Sequence, residues 1–548
     1  MSLVSNPVLP GFHPDPSIVR AGGEYYLANS TFEWYPGVEL HRSKDLAHWE
    51  PLPSPLANRA LLDMAGNPAS GGIWAPCLSY DGALFYLVYT NVRSWADGPW
   101  KDAPNFLVTA PSIEGPWSEP VFLNASGFDP SLFHDEDGRK WLVNMEWDYR
   151  KTQGGRFTGI LLQEYRPAEK RLAGDVRKIF TGTAQGLVEG PHLYKRNGWY
   201  YLLTAEGGTQ YGHAATLARS RAVEGPYRVH PANPLLTSYN WPGWPLQKAG
   251  HASWCDTPDG CTYLAFLCGR PLPGTRNCVL GRETAIAELE WRDDWPYLKY
   301  APGTRQKGEE LWDCGVPNYP PLAFEPPVPL AAPPEPSSRE RRYRFDGNAL
   351  DADFKTLRVP ADAERYSLTA RAGFLRLRGG QSPVSRFQQT LLARRQADFS
   401  FSVETYLEFA PKSFQELAGL CWRYDENNQY LLALSYDEQA GRVLSVHSMH
   451  GGTYSRTEDT DANNGGGIWL GLTVREHIGR FRYSPDGKAW VSLRPALDAA
   501  VLSDEYFHEG FTGAFVGMFC VDTAHYAACA DFAYFTYTPE KAEQHAAS

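Results

Sequence analysis

No run of apolar residues approaches the roughly 18 needed for a membrane-spanning helix, so the sequence offers no transmembrane segment. The N-terminus, MSLVSNPVLPGFHPDP, lacks the basic start, apolar stretch and small-residue cleavage site of a secretory signal. Clustered Lys and Arg are also scarce, and the net charge is -11. That balance argues against a nucleic acid or an anionic membrane surface as partner, because both need concentrated positive charge. The nine cysteines are odd in number, scattered and without a CxxC pair. They read as reduced, mostly buried thiols of a cytoplasmic protein rather than a disulfide framework. Long Ala/Leu/Glu/Lys-rich stretches are missing too, which removes the usual signal for extended helices.

Aromatic residues, by contrast, make up 14% of the chain, with 18 Trp and 30 Tyr, and Gly and Pro are plentiful. This composition favours short strands joined by turns. At 548 residues the chain is long enough for two or three hydrophobic cores.

A pattern recurs over the first three hundred residues: Pro or a small residue, an apolar pair, a Gly-containing turn, then an aromatic-rich run. It appears as PSIVRAGGEYYL from Pro16 and PCLSYDGALFYL from Pro76, and again as PSLFHDEDGRKWLV from Pro130. Two more copies are PHLYKRNGWYYLL from Pro191 and ASWCDTPDGCTYLAF from Ala252. The starts lie about 54 to 61 residues apart. Each copy reads as strand, tight turn, strand, and further strand-like runs follow each one. Five such units predict a five-bladed β-propeller, with an array of β-sandwiches as the alternative.

In a propeller the first strand of each blade lines the central channel, so equivalent positions converge on the axis. Asp15 and Asp129 directly precede Pro16 and Pro130, and Glu189 stands two residues before Pro191. His251 directly precedes Ala252, and Trp74 stands two before Pro76. Three acids at matching points can divide acid and base work, as the hydrolysis of a glycosidic bond requires. A further carboxylate nearby keeps the acid protonated. Trp74 and Phe32 offer apolar faces for a sugar ring, while Arg282 and His251 can bind hydroxyls. Each also has a plainer reading: Asp before Pro caps turns, Glu189 beside Gly190 suits a surface turn, His251 a core histidine and Trp74 blade packing. Asp135, Glu136 and Asp137 crowd one hairpin turn and read as solvated.

The repeat fades near residue 298. The Pro-rich stretch 317–338 reads as a linker or clasp, which divides the chain into a propeller over 1–316 and a second domain over 339–548. Arg339, Arg341, Arg342 and Arg344 read as a solvated face. Beyond them FSFSVETYLEF (399–409), YLLALSY (430–436) and ADFAYFTY (530–537) predict an antiparallel β-sandwich. The fold class expected is therefore all-β.

The segments GFHPDPSIVRAGGEYYLANSTFEWYPGVELHRSKDLAHW, GIWAP, GFDPSLF, EGPHLYKRNGWYYLLTAEGGTQYGHAA, LQKAGHAS and GRETAIAELEW closely resemble glycoside hydrolase family 43. The similarity is strongest to its two-domain β-xylosidases and xylosidase/arabinofuranosidases, and extends to GAFVGMF and ADFAYF near the C-terminus. The resemblance implies a five-bladed propeller with a concanavalin-like sandwich that closes the active site. It implies Asp15 as the base activating water, Asp129 as the group that tunes and orients the acid, and Glu189 as the general acid. Arg282 corresponds to a substrate clamp, Phe32 and Trp74 to pocket walls, His251 to a channel histidine and Phe515 to a closing aromatic. The mechanism implied is single-step inversion, with acid and base about 6.5–9.5 Å apart. The activity implied is exo-release of D-xylose from xylooligosaccharides, with L-arabinofuranose as a further product. No cofactor is required, although some members hold Ca2+, and a homo-oligomer, dimer or tetramer, is expected. GTRNCV, between GRPLP and LGRETA, is shorter than the insert common in relatives, a loop that shapes the pocket rim. The rivals are a dedicated α-L-arabinofuranosidase, a retaining furanosidase of the invertase-like propellers, and a non-catalytic carbohydrate-binding propeller.

Overall fold

The computed structural model describes residues 3–95, 98–301, 317–330, 340–463, 465–506 and 510–540. The chain divides into two compact units: Met1–Arg270 with Arg282–Pro334, and Pro271–Gly281 with Glu335–Ser548.

The first unit contains five antiparallel sheets of four or five strands, each built from consecutive segments of chain. Blade one runs Ser17–Ala21, Glu24–Asn29, Glu39–Ser43 and Glu50–Leu52; the first strands of blades two to five are Gly72–Tyr80, Ser131–His134, Glu189–Arg196 and Gln247–Asp256. These five first strands line a central cavity of about 320 Å³.

 The 320 Å³ cavity is the axial channel of the propeller, walled by side chains such as Ile18, Leu78, Leu132, Leu193 and Trp254 from all five blades. Serines after the channel-lining turns tie neighbouring blades together. Ser17 Oγ accepts from the Leu78 N–H (3.0 Å), Ser131 Oγ donates to the Pro191 carbonyl (2.6 Å), and Ser253 Oγ donates to the Pro16 carbonyl (2.7 Å). The last of these, with the antiparallel bridge Leu9–Thr284, joins blade five to blade one and closes the ring.

The apolar cores lie between blades. Tyr201, Leu203 and Leu217 of blade four pack with Trp254, Leu264 and Phe266 of blade five. Cys77, Tyr86 and Val88 of blade two meet Leu132, Leu142 and Tyr165 of blade three. Because each sheet is covered on both faces, strands such as Thr262–Gly269 and Phe85–Val92 are buried throughout rather than in alternation. Residues 317–330 act as a clasp on this unit: Tyr319 is buried against Trp241 and Trp244, and Ala323–Phe324 pairs with Val4–Ser5. Residues 331–338 of the Pro-rich stretch lie outside the described residues, as does Arg339.

In the second unit the described residues form sheets of nine and seven strands. The expected strands are found as Ser400–Glu408, Gln429–Asp437 and Cys529–Pro539. Burial alternates along Ser400–Glu408, as expected of a sheet with one face on a core and one in solvent. Leu272, Val279 and Leu280 of the short segment join this core beside Val516 and Met518. Arg341, Arg342 and Arg344 are exposed as expected. Asp135 departs from expectation: it is buried, and its carboxylate accepts from Lys195 Nζ (2.9 Å) and the Tyr200 hydroxyl (2.8 Å). A hairpin acid that meets a cation from the next blade is drawn out of solvent. All eight described cysteines are free thiols, six of them buried.

Candidate active site

The five blades share a backbone irregularity where their first strands begin. Asp15, Ala75, Asp129, Gly190 and His251 have φ of 50°, 34°, 55°, 55° and 39°. Each stands immediately before Pro16, Pro76, Pro130, Pro191 or Ala252. Left-handed geometry costs a non-glycine residue about 1–3 kcal/mol and persists only when the surroundings enforce it. In blade four the irregular position is Gly190, where a Cβ would lie 3.1 Å from the His251 ring, so this site admits no side chain without displacement. The carboxyl is therefore carried one residue earlier, by Glu189, and the strand pairing shifts between Glu189 and His192. Trp74 holds the same offset in blade two, with a shift between Trp74 and Cys77. Such bulges redirect side chains.

Asp15, Asp129 and Glu189 are buried, with 9%, 5% and 5% of their surfaces exposed. They act on one another. Burial, then the charges of Glu189 and Asp15, hold the Asp129 carboxyl well above the usual carboxylate range, against the Gly190 N–H and Lys101. The Gly190 N–H donates to Asp129 Oδ2 at 3.0 Å. Burial and then Asp15 push Glu189 up to about 8, opposed by Lys101 and Arg282. Adjacent buried carboxyls titrate as a set, and this one retains a proton at neutral pH. Glu189 Oε1 is buried without a hydrogen-bond partner among the described residues. Asp15 Oδ2 accepts from the Ser30 hydroxyl at 2.6 Å, and Ser30 Oγ also accepts from the Ala75 N–H at 2.8 Å. His251 Nδ1 stands 3.6 Å from Asp15 Oδ1, and burial lowers the imidazole's pKa.

Phe32, Trp74 and Arg282 lie in the same unit as these acids, and Arg282 acts on Glu189 by its charge. Phe32 and Trp74 face each other with ring centroids 6.0 Å apart, and Trp74 meets Phe128 at 5.3 Å. Arg282 is buried, opens the third strand of blade five and donates to the Thr209 carbonyl at 3.4 Å. Phe515 belongs to the second unit, where it opens the strand Phe515–Asp522, opposite Arg395 and Arg423, and is fully buried.

Lys101 was not anticipated from the sequence. Its ammonium lies 4.7 Å from the Trp74 ring, 5.0 Å from Phe128 and 4.6 Å from Trp147, an aromatic cage that favours a cation. Burial lowers its pKa to about 8 while Glu189 and Asp129 oppose that shift. Lys101 follows no repeat position, because it sits in the connection between the second and third strands of blade two. The only hint was the surrounding run of Trp residues.

Among the described residues, the grouping with metal-ligand spacing is His13, Glu39 and His41, whose ligand atoms lie within 4.8 Å of one another. Two imidazoles and a carboxylate suit a zinc-like ion. Ca2+ takes six to eight oxygen ligands, so this donor set does not fit it, and no step below passes through a metal.

Comparison with known proteins agrees with this arrangement. The profile described as "Glycosyl hydrolases family 43" matches residues 4–296, and "Beta xylosidase C-terminal Concanavalin A-like domain" matches residues 342–538. The chain is 48% identical to "Xylosidase/arabinosidase 43B" of Humicola insolens, over 98% of each chain. It is 46% identical to "Beta-xylosidase" of Bacillus subtilis (strain 168), over 97% of this chain and 99% of the relative. The crystal structure of xylan beta-1,4-xylosidase from Bacillus halodurans C-125 superposes with a TM-score of 0.91 at 47% identity, covering 98% of this chain and all of that one.

Proposed function

The chain belongs to glycosyl hydrolases family 43, and from that premise we propose that it is an exo-acting, inverting β-xylosidase that releases D-xylose from the non-reducing end of xylooligosaccharides. In this reading Asp15 takes a proton from water as the water attacks the anomeric carbon. Glu189 donates its proton to the glycosidic oxygen as that bond breaks. One displacement inverts the anomeric centre. Asp15 then loses its proton to solvent and Glu189 regains one. The Ser30 hydroxyl fixes the orientation of Asp15, while Asp129 holds the proton on its partner and orients it through the Gly190 backbone.

The observation that carries the proposal is the state of Glu189: a buried carboxyl raised to about 8, with Oε1 awaiting an acceptor. A general acid working near neutral pH needs that value. Arg282, His251, Phe32 and Trp74 supply hydroxyl partners and apolar ring contacts in the same place. The relatives named β-xylosidase support xylose as the sugar.

The test is incubation of the purified protein with xylobiose and with nitrophenyl β-D-xyloside and α-L-arabinofuranoside at pH 5–7. Xylose release with the inverted anomer first, read by proton NMR, is expected. Inertness toward all three substrates would refute the proposal. The name of the Humicola insolens relative favours a second reading, arabinofuranosidase activity at the same site. The ratio of kcat/KM on the two nitrophenyl substrates separates a xylosidase with side activity from a dedicated arabinofuranosidase.

A further inference from the structure

The second unit carries a cavity of about 490 Å³ that the reaction above does not use. It lies on the seven-stranded sheet. Even-numbered residues of two adjacent strands, Tyr430, Leu432, Leu434, Leu444 and Val446, enter the sandwich core. The odd-numbered ones, including Leu431, Ser435, Ser445 and His447, face the cavity instead. Small residues keep the trough open: Ala433 pairs with Ser445 across the middle of the sheet, and Gly419 pairs with Ala433 on its other side. Two large rings stand at its walls, Phe414 at 64% exposure and Tyr454 at 56%. Exposed rings on a concave surface beside a few polar groups are the lining that small-molecule sites use.

The polar groups of the cavity specify the ligand further. Ser445 Oγ, His447 and Tyr454 form a hydrogen-bonded chain, with Ser445 Oγ 3.0 Å from His447 Nε2 and the Tyr454 hydroxyl 2.9 Å from His447 Nδ1. Burial, then Arg456, lowers the His447 pKa to about 4, so the chain is neutral at neutral pH. Arg456 is itself paired with Asp459. The cavity thus presents apolar rings and hydroxyl-type donors and acceptors beside the Arg456–Asp459 pair and the Asp437 carboxylate, which accepts from the Gln439 and Ala440 N–H groups. The carboxylate beyond that ion pair disfavours an anionic ligand, and the rings and hydroxyl chain suit a neutral one with alternating apolar and hydroxylated surfaces.

We propose that this groove is a second carbohydrate-binding site, which holds a short neutral oligosaccharide against Phe414 and Tyr454. That the sugar is a xylose chain rests on the function proposed above. A site that retains the chain between cleavage events raises the local concentration of chain ends.

The experiment uses the full-length Glu189→Gln protein, which leaves the ligand intact, titrated with xylohexaose by calorimetry. Two binding events per chain are expected. Adding Phe414→Ala and Tyr454→Ala should weaken one event roughly tenfold or more and leave the other unchanged. In the active enzyme the same double substitution should leave kcat/KM on nitrophenyl β-D-xyloside unchanged. One event that the double substitution does not alter would overturn the groove while sparing the catalytic reading. A smaller mass of the double variant by light scattering, with one event throughout, would make the groove an interface between copies and overturn it equally. Absence of both events, with no activity on pentosides, would overturn the choice of sugar.

Discussion

Two buried glutamates, one in each unit, show what a protein does with a carboxyl it removes from water. Glu426 of the sandwich lies among guanidinium groups: Arg386 Nε at 2.7 Å from Oε1, with Arg358 and Arg423 Nη2 at 3.3 and 3.5 Å from Oε2. Burial pushes its pKa up, but Arg358, Arg423 and Arg386 together outweigh burial and hold it below the usual range. Glu189 of the propeller faces the Asp15 charge, with Lys101 and Arg282 as the opposing charges, and burial prevails. The first glutamate is a fixed anion that completes a structural network. The second keeps a proton at neutral pH and can give it away. Burial alone therefore does not distinguish catalysis from architecture; the neighbouring charges do.

Exchanging each carboxyl for an amide separates the two roles. Glu189→Gln should lower kcat on xylobiose by about a hundred- to ten-thousand-fold, the range of general acid catalysis. The loss should be smaller on an aryl xyloside whose leaving group needs little protonation. Steady-state kinetics on the two substrates checks both, and equal losses would remove Glu189 from the acid's role. Glu426→Gln should do the reverse. It leaves Arg358 and Arg423 buried without their counter-charge, which costs about 3–5 kcal/mol, while turnover per folded molecule persists.

The same pair should differ in the pH dependence of stability. The folded pKa of Glu189, about 8, exceeds its reference value of 4.5, so its contribution to stability is complete below 4.5 and is lost as pH rises through about 8. The Tm of Glu189→Gln should therefore gain on the wild type as pH rises between these values. Glu426 has a lowered pKa, so its contribution is present above its reference value of 4.5 and is lost as pH falls through the folded value. The Tm deficit of Glu426→Gln should shrink in acid. Parallel Tm curves for either variant and the wild type would contradict the assigned shift.

The repeat carried most of what was legible. Periodic starts gave the five blades, and the identity of the residue at each start placed Asp15, Asp129 and His251 at the axis. Left-handed backbone at those positions could not be read, because only glycine advertises such geometry and four of the five residues are not glycine. The offset of Glu189 and Trp74 became intelligible only through the bulges that compensate it. Lys101 escaped notice because a cation caged by rings from blades two and three has no linear pattern. Asp135 was misread for a related reason: its partners Lys195 and Tyr200 come from the next blade. The groove of the second unit was equally hidden, since its walls come from segments far apart in the chain and its floor is defined by small residues.

The smallest effect tests whether neighbouring charge sets the character of Glu189. Lys101→Met keeps an unbranched apolar stem among the Trp74, Phe128 and Trp147 rings, where a thioether packs well, and removes only the charge. Lys101 lowers the pKa of both Glu189 and Asp129, so its removal should raise them. Glu189 must be protonated to act, and activity is lost as pH rises through its pKa. The alkaline limb of kcat/KM against pH should therefore move upward, by on the order of half to one unit. A limb that stays in place would mean that another group sets it, and a downward shift would show that Lys101 serves the reaction in its own right. An upward shift would extend the contrast with Glu426: each cation removed from beside a buried carboxyl takes it further from a structural anion and closer to an acid.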